Sequence, residues 1–411
     1  MRKFFTRKLQ SVLKILARLM IKRYKPGIIG ITGSVGKTST KEAVYAVLRN
    51  VRRIRASSGN FNNELGLPLT ILDDWQKIQG LFFWPRVIFA SLWQIIFGGD
   101  YPDILILEYG AGRPGDVKYL LEIVKPNIGI VTAIGDIPVH VEFYSGPDAV
   151  AREKSRLVEA LPAQGFSVLN FDDEAVLDMK ERTRAHVMTY GFGEGAEIRI
   201  TNFENREEGG RPAGIAFKLE YGGSFVPVRL DNCFGKAQAY AAAAAACVGL
   251  VFGLNLVKIS ESLLYYQAPP RRMKLLNGVK ETYIIDDCYN ASPLSMHGAI
   301  DTIKDLKASR KIGVLGDMLE IGKYAIEAHE EIGRLSAKVF DLLITVGPRA
   351  KFIADLAVKS GLNKKNVFSF DTADEAKLKV QELIKKGDLI LVKGSRAMRL
   401  DKIIEEIEKI S

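Results

Sequence analysis

Gly27-Ile28-Ile29-Gly30-Ile31-Thr32-Gly33-Ser34-Val35-Gly36-Lys37-Thr38-Ser39 decides how the rest of the sequence is read. Its first six residues form a β-prone run that leads into a glycine-spaced turn, and a helical pattern follows from near Lys41. A strand, a tight loop and a helix in that order aim backbone amides and a helix N-terminus at one point, where their partial positive charge holds a phosphate. Lys37 is placed to reach terminal phosphates and Thr38 to coordinate Mg2+, with Gly33, Ser34, Val35, Gly36 and Ser39 completing the cradle. The strict nucleotide-binding pattern asks for Gly where Ile31 stands, so a glycine-rich turn without function competes with this reading.

Outward from the loop, short β-rich runs alternate with helical patterns, which predicts an α/β fold with a mostly parallel sheet. The clearest strands are Gly27–Thr32, Asp103–Glu108 and Asn127–Ala133. Between His186 and Leu230 the pattern turns to strand-turn-strand, with Gly222-Gly223 joining Ile215–Tyr221 to Ser224–Leu230 as a small antiparallel addition. Helices are expected at Ala237–Gly249 and near Lys258–Tyr266, before Pro269-Pro270 marks a boundary. Beyond it, Tyr283–Asp287, Lys311–Leu315, Leu342–Val346 and Leu389–Val392 recur as buried strands separated by helices, the pattern of a second, Rossmann-like domain. The expected units are 1–26, 27–268 with an apolar insertion at 81–100, and 269–411.

The formal net charge is +10, yet residues 1–26 hold nine Lys or Arg and no acid, and the remainder is near neutral. A basic excess confined to one terminus argues against nucleic-acid binding. Within Met1–Pro26, Phe5, Leu9, Val12, Leu13, Leu16, Leu19 and Met20 share one helical face, and Arg7, Lys14, Arg18 and Lys22 the other. Such a helix lies on an anionic membrane surface or docks on the domain that follows. It lacks the cleavage site of a signal peptide. The apolar stretch Leu81–Phe97 is short for a membrane span and is broken by Pro85, Arg86 and Gln94. One crossing there would also put strands of a single sheet on opposite sides of a bilayer. It reads as an interfacial insertion, a lid over a cleft, or a helical hairpin in the core. Three separated cysteines, Cys233, Cys247 and Cys288, suggest neither disulfides nor zinc, and a reducing cytoplasm fits, with the inner face of the membrane as the alternative the basic helix allows.

The loop, in the form Thr-Gly-Ser-x-Gly-Lys-Thr, resembles that of the Mur ligase family, and further motifs follow in family order. These are Gly59–Pro68, Glu108-Tyr109-Gly110-Ala111-Gly112, His140 and Glu142, Ala151-Arg152-Glu153-Lys154-Ser155, Asp286–Pro293, Val314–Gly322 and Lys393-Gly394-Ser395-Arg396. The resemblance implies ATP and Mg2+ as cofactors, Glu108 and Thr38 as ligands of one Mg2+, and His140 on a second. It implies that Lys154 carries a CO2-derived carbamate, which turns a cation into an anion able to bind or orient metal-bound groups. It also places Arg272 and Asp287 on the nucleotide, and Asn290 and Asp317 in the active cleft or against the incoming amine. Against these stand a structural histidine, a salt-bridging Lys154, and loop-capping roles for the Asp and Asn residues.

The implied activity is an ATP-dependent ligase that forms amide bonds through an acyl phosphate. The motifs after Arg272 resemble those of the branch that adds D-alanyl-D-alanine to a UDP-linked muramoyl tripeptide in cell-wall synthesis. The partners would be that nucleotide-sugar peptide and an amine dipeptide. A ligase for another, membrane-linked acceptor and a catalytically weakened membrane scaffold are the alternatives, with residues 1–26 and 81–97 as the contact. Two departures bear on this. That branch carries an N-terminal domain gripping the uridine nucleotide, whereas here the phosphate loop arrives near residue 33. Ala237, Gln238 and Ala241 stand where the family has a histidine and asparagines, one of which reads adenine. Ser292 also replaces a commoner asparagine.

Overall fold

The computed structural model describes residues 2–57, 59, 61–75, 78–80 and 82–409, with the backbone alone for residues 2–5. Met1, the side chain of Phe5, Asn60 of the loop beginning at Gly59, Leu81 at the head of the apolar insertion, and Ser411 lie outside the described residues.

Among the described residues, fifteen strands make two sheets. The first holds β1 (Gly27–Thr32), β2 (Ile54–Ala56), β3 (Ile104–Glu108), β4 (Ile128–Val131), β5 (Phe166–Asn170), β6 (His186–Gly191), β7 (Ile198–Glu208), β8 (Arg211–Tyr221) and β9 (Ser224–Asp231). Their order is β2-β3-β1-β4-β5-β6-β7-β8-β9. Pairing is parallel from β2 to β7, and β7, β8 and β9 then fold back antiparallel. The antiparallel addition is therefore continuous with the parallel sheet. Gly222 and Gly223, at φ 57 and 77, make the tight turn that side chains with a Cβ resist.

The second sheet holds β10 (Lys274–Gly278), β11 (Thr282–Asp287), β12 (Arg310–Gly316), β13 (Leu342–Val346), β14 (Val367–Phe370) and β15 (Asp388–Lys393). Its order is β10-β11-β15-β12-β13-β14, parallel except for β10. Strands β1, β3, β4, β12, β13 and β15 are buried almost throughout, as parallel strands covered by helices on both faces must be. The Ala-rich helix Lys236–Val251 packs alanines Ala241–Ala246, all essentially buried, against the first sheet and the loop helix, where small side chains permit close approach.

Four helices of the first half matter below: α1 (Arg2–Tyr24), α2 (Lys37–Leu48), α3 (Gly66–Leu72) and α4 (Phe83–Phe97). Helix α2 begins at Lys37 rather than near Lys41, so the Lys-Thr-Ser of the loop is its first turn. Helix α1 does dock on the domain, but on a narrower face than the sequence suggests. Leu13, Leu16, Ala17 and Met20 are buried against α3, α4 and neighbouring helices, whereas Val12 and Leu19 are turned to solvent. Lys14 and Arg18 tie its flank to the Glu122 carboxylate and carbonyl. The described part of the stretch Leu81–Phe97 forms one helix, not a hairpin, and no residue of that helix lines the cleft between the sheets, so neither the hairpin nor the lid reading holds. Strands β1 and β3, before and after it in sequence, pair directly. Among the described residues no helix is long and apolar enough to cross a membrane.

Candidate functional site

The phosphate loop crosses the carboxyl end of the first sheet between β1 and α2. Gly33 sits at φ 143, and a Cβ there would lie 1.9 Å from Thr132 Oγ1, so only glycine fits. Gly36, at φ 92, precedes α2 and offers no side-chain cap, which leaves the positive end of the helix facing the loop. The amides of Ser34 and Val35 are not aimed at a ligand: both donate to the Ala133 carbonyl, at 2.7 and 3.1 Å. Those two residues thus hold the loop's shape, and Ser34 adds a hydroxyl that is buried with no hydrogen-bond partner among the described residues.

Two lysines converge on one oxygen. The Gly33 carbonyl accepts from Lys37 Nζ at 2.7 Å and from Lys154 Nζ at 3.0 Å. Burial lowers the Lys37 amine to about 8, with Arg272 pushing the same way and Glu108 opposing. Burial lowers Lys154 well below the ordinary lysine value, and the Lys37 charge adds to this. Two buried amines beside one carbonyl form a site that an anion completes.

Glu108 ends β3 with its carboxylate 1% exposed. Its Oε2 lies 3.5 Å from Thr38 Oγ1. Its Oε1 pairs with Lys41 Nζ at 3.5 Å but makes no hydrogen bond. Lys41, itself 1% exposed, donates to the Ser57 carbonyl and hydroxyl and to the Gly59 carbonyl, tying the loop beginning at Gly59, which by the family resemblance is a substrate-side loop, to α2. The described residues hold no group of three or more His, Cys, Asp or Glu suited to a metal. Mg2+ bound with nucleotide takes one or two protein oxygens and fills its octahedron with phosphate and water, so Thr38 and an under-bonded Glu108 fit it.

His140 stands on a left-handed backbone (φ 71), and its Nδ1 lies 2.6 Å from Glu320 Oε2 of the second half. Burial and the Lys37 and Lys154 charges push its imidazole down to about 4, the neutral form a metal needs. The Asn62 carbonyl accepts from the Gly110 amide at 2.9 Å, and a Cβ at Gly110 would strike that oxygen, so the glycine permits this close approach.

From the second half, Arg272 stacks over the Tyr289 ring at 4.0 Å. Asp287 accepts from the Met273 amide at 3.1 Å and is paired with Lys393, which also donates to the Asn290 carbonyl at 3.1 Å. Burial raises the Asp287 carboxyl while Lys393 opposes. Asn290 lines the cleft; Asp317 does not. The Asp317 carboxylate accepts at 2.7 Å from the amide of Ala350, the first residue of the helix Ala350–Lys359, and Asp317 is 2% exposed. The expectation that Asp317 faces the cleft is corrected accordingly. Gln238 is also occupied: Tyr266 donates to its Oε1 at 2.5 Å, and its Nε2 donates to the Arg272 carbonyl at 2.9 Å.

These groups surround one cavity of about 1390 Å3, lined by both halves and including Gly33–Ser39, Glu108, His140, Lys154, Arg272, Asp287 and Asn290. Single small-molecule sites run to about 1,000 Å3, so the volume suits a nucleotide together with a second substrate. Three of the residues involved were not singled out in the sequence. Lys41 looks like an ordinary helix lysine, and Glu320 and Lys393 lay inside quoted motifs without a role.

The family model described as Mur ligase middle domain matches residues 31–83 and 96–249, and that described as Mur ligase, glutamate ligase domain, matches 271–396. The UDP-N-acetylmuramoyl-tripeptide--D-alanyl-D-alanine ligase of Bacillus subtilis (strain 168) is 29% identical over 399 residues, 97% of this chain and 79% of that protein. The protein of that name from Mycobacterium tuberculosis (strain ATCC 25618 / H37Rv) is 31% identical over 403 residues, 92% of this chain and 72% of that one. The crystal structure of MurF ligase from Thermotoga maritima in complex with ADP superposes with a TM-score of 0.79 at 26% identity, covering 97% of this chain and 83% of that one.

Proposed function

The chain belongs to the Mur ligase family, and from that premise we propose that it adds D-alanyl-D-alanine to UDP-N-acetylmuramoyl-tripeptide in peptidoglycan synthesis. As a family member it is an ATP-dependent ligase that forms carbon–nitrogen bonds. One observation carries the site assignment: Lys37, Glu108, His140 and Lys154 from one sheet and Arg272 and Asp287 from the other line a single cavity.

In this reading residues 27–268 bind ATP and residues 269–411 close over it. Thr38 and Glu108 would hold one Mg2+, and His140 with Lys154 a second, which would supply positive charge to the phosphates. Lys37 orients the transferred phosphoryl group and neutralises charge that develops on it as the substrate carboxylate becomes an acyl phosphate. Arg272 and Asp287 grip the nucleotide, and Asn290 lies where an incoming amine would be oriented before it attacks the acyl carbon and releases phosphate. Closure of the second half excludes water, which would otherwise hydrolyse the activated acyl group.

Lys154 fits a carbamate because burial keeps part of its amine neutral and nucleophilic. Nitrogen attacks CO2, a proton leaves, and the resulting anion faces Lys37. Three buried free cysteines suit a reducing compartment, and the cytoplasm is the location we propose.

The test is phosphate release from ATP with Mg2+, comparing the UDP-linked tripeptide plus D-alanyl-D-alanine with each alone. Release that needs both substrates and disappears in Lys37→Ala supports the reading. Release that needs Lys37 but not this pair of substrates overturns the substrate assignment and keeps the ligase chemistry.

A further inference from the structure

Helix α4 is built inside out. Its seam toward the domain is Phe83, Val87 and Ser91, spaced four apart, whereas its outward face carries Phe89, Leu92, Trp93, Ile96 and Phe97. Trp93 is 55% exposed, Phe89 68% and Phe97 65%, and the three rings follow one another along the helix, tilted, with centroids 6.2 and 4.3 Å apart. Water-facing helix surfaces are ordinarily the polar ones, so a contiguous apolar face of this kind marks a docking surface. Residues 84–95, which include Phe89, Leu92 and Trp93, are the stretch that the middle-domain model leaves unmatched.

Helix α1 packs beside α4, and the Tyr24 hydroxyl donates to the Gln94 carbonyl at 3.0 Å. Opposite its buried face, α1 exposes a second apolar stripe, Val12, Ile15 and Leu19, at helical spacing. Around that stripe the exposed charged residues of α1 are all cations: Arg7, Lys8, Arg18, Lys22 and Arg23, with Lys25 just beyond, and of these Arg18 is turned to the Glu122 carbonyl. Neither helix contains an acidic residue, and α4 adds an exposed Arg86. Apolar and aromatic side chains on two helices whose own charges are all positive match one partner in both respects. They suit the interface of an anionic bilayer, where rings and aliphatic chains enter the acyl boundary and cations meet phosphate headgroups. A protein partner or a second copy of the chain would have to neutralise the cations with acids of its own, and α1 and α4 supply none.

We propose that the outward faces of α1 and α4 together seat the protein peripherally on an anionic lipid bilayer, without crossing it. Gln10 of α1 lines the cleft and donates to Glu64 of the substrate-side loop at 3.2 Å. Gln10 lies on the side of α1 away from Val12, Ile15 and Leu19, so the helix that carries the proposed contact meets the catalytic cavity with its other side. This holds whichever acceptor the ligase uses.

The experiment is flotation of the full chain with vesicles of phosphatidylcholine alone and of phosphatidylcholine with phosphatidylglycerol. It is run at low and physiological salt, beside Phe89→Ser/Trp93→Ser/Phe97→Ser and Lys8→Ser/Lys22→Ser/Arg23→Ser variants. The full chain should float with anionic vesicles and not with neutral ones, more weakly as salt rises. The aromatic variant should lose at least tenfold in binding while its nucleotide-dependent thermal shift is unchanged. Trp93 emission, taken as the difference from a Trp93→Phe protein, should move to the blue on binding. Equal flotation with both vesicles, or none with either, overturns the proposal. So does a monomer–dimer equilibrium abolished by the aromatic variant, which would assign the face to a second copy.

Discussion

Glu320 Oε2 lies 2.6 Å from His140 Nδ1, so a carboxylate carried by the second sheet holds a histidine that belongs to the first. With Nδ1–H donated to Glu320, the other ring nitrogen, Nε2, is the one free to face a metal, the arrangement by which carboxylates orient histidine ligands. Both residues adopt left-handed backbones, at φ 71 and 62, and the Glu142 amide donates to the Glu320 carbonyl at 3.3 Å. We predict that Glu320→Ala lowers turnover by roughly ten- to a hundredfold and raises the Mg2+ concentration needed for half-maximal rate. Glu320→Gln, which can still accept from Nδ1, should lose far less. In a His140→Ala background the Glu320→Ala change should add little, and additive losses in that cycle would show that Glu320 acts elsewhere.

Lys154 shares its acceptor with Lys37, and the two amines sit within hydrogen-bond reach of the Gly33 carbonyl. If Lys154 is carbamylated, 13C-bicarbonate should give a carbamate resonance that Lys154→Arg abolishes. The inactive Lys154→Ala protein should recover part of its rate with a short carboxylic acid that replaces the missing anion. A full rate in Lys154→Arg would remove the carbamate from the mechanism.

The depressed Lys37 amine makes stability depend on pH with a definite sign. Its value is about 8 in the folded chain against 10.5 when exposed, so the unfolded chain binds the extra proton between those values and stability rises with pH across that window. Below pH 8 both states are protonated, and the folded one bears the burden of a buried cation, on the order of 3 kcal/mol at about 1.4 kcal/mol per unit. Ligand-free Lys37→Met should therefore be more stable than the wild type at pH 7, with the difference closing towards pH 10. Urea titrations at pH 7 and 9.5 measure it; a gap that does not change with pH contradicts the assignment.

Lys41 is the counterpart of Glu108 inside the protein. Replacing it with methionine keeps the volume and leaves a carboxylate that is 1% exposed without its cation. We expect a loss of about 3 kcal/mol in the ligand-free state, because removing one member of a buried pair strands the other. Saturating Mg2+ with nucleotide should recover much of it by supplying positive charge at Glu108. A variant as stable as the wild type without Mg2+ would mean the 3.5 Å pair contributes nothing.

The phosphate loop was readable because its residue types are forced: Gly33 has no room for a Cβ, and β1 is buried over five consecutive positions. The second sheet was readable for the same reason, since strands such as Leu342–Val346 are apolar throughout. What was not readable depended on contacts between distant segments. The apolar positions of residues 1–26 extend round the helix beyond the face that docks, and only the packed neighbours decide that Leu16 is covered and Leu19 is not. Asp317 follows a strand end just as a cleft residue would, and its turn toward the Ala350 amide comes from a helix thirty-three residues away. The Ser34 and Val35 amides have the spacing of a phosphate cradle, yet the Ala133 carbonyl, from the segment after β4, takes both.

Base recognition follows from what Gln238 can no longer do. Its carbonyl oxygen accepts from Tyr266 and its amide donates to the Arg272 carbonyl, so with the side chain 1% exposed and held at both ends it is turned away from a purine edge, and Ala237 and Ala241 have only methyl side chains to offer the cleft. A site that hydrogen-bonds a base rejects an analogue through its unpaired polar groups, whereas apolar contact discriminates weakly. We predict that ATP and GTP support phosphate release with kcat/KM values within roughly tenfold of each other. Ala241→Asn, which restores an amide facing the cavity, should widen the ratio in favour of ATP. Tyr266→Phe should do so less, since it frees only the Gln238 oxygen while the Arg272 carbonyl still holds the nitrogen. A wild-type preference for ATP of a thousandfold or more would mean that the base is read by groups outside the helix Lys236–Val251.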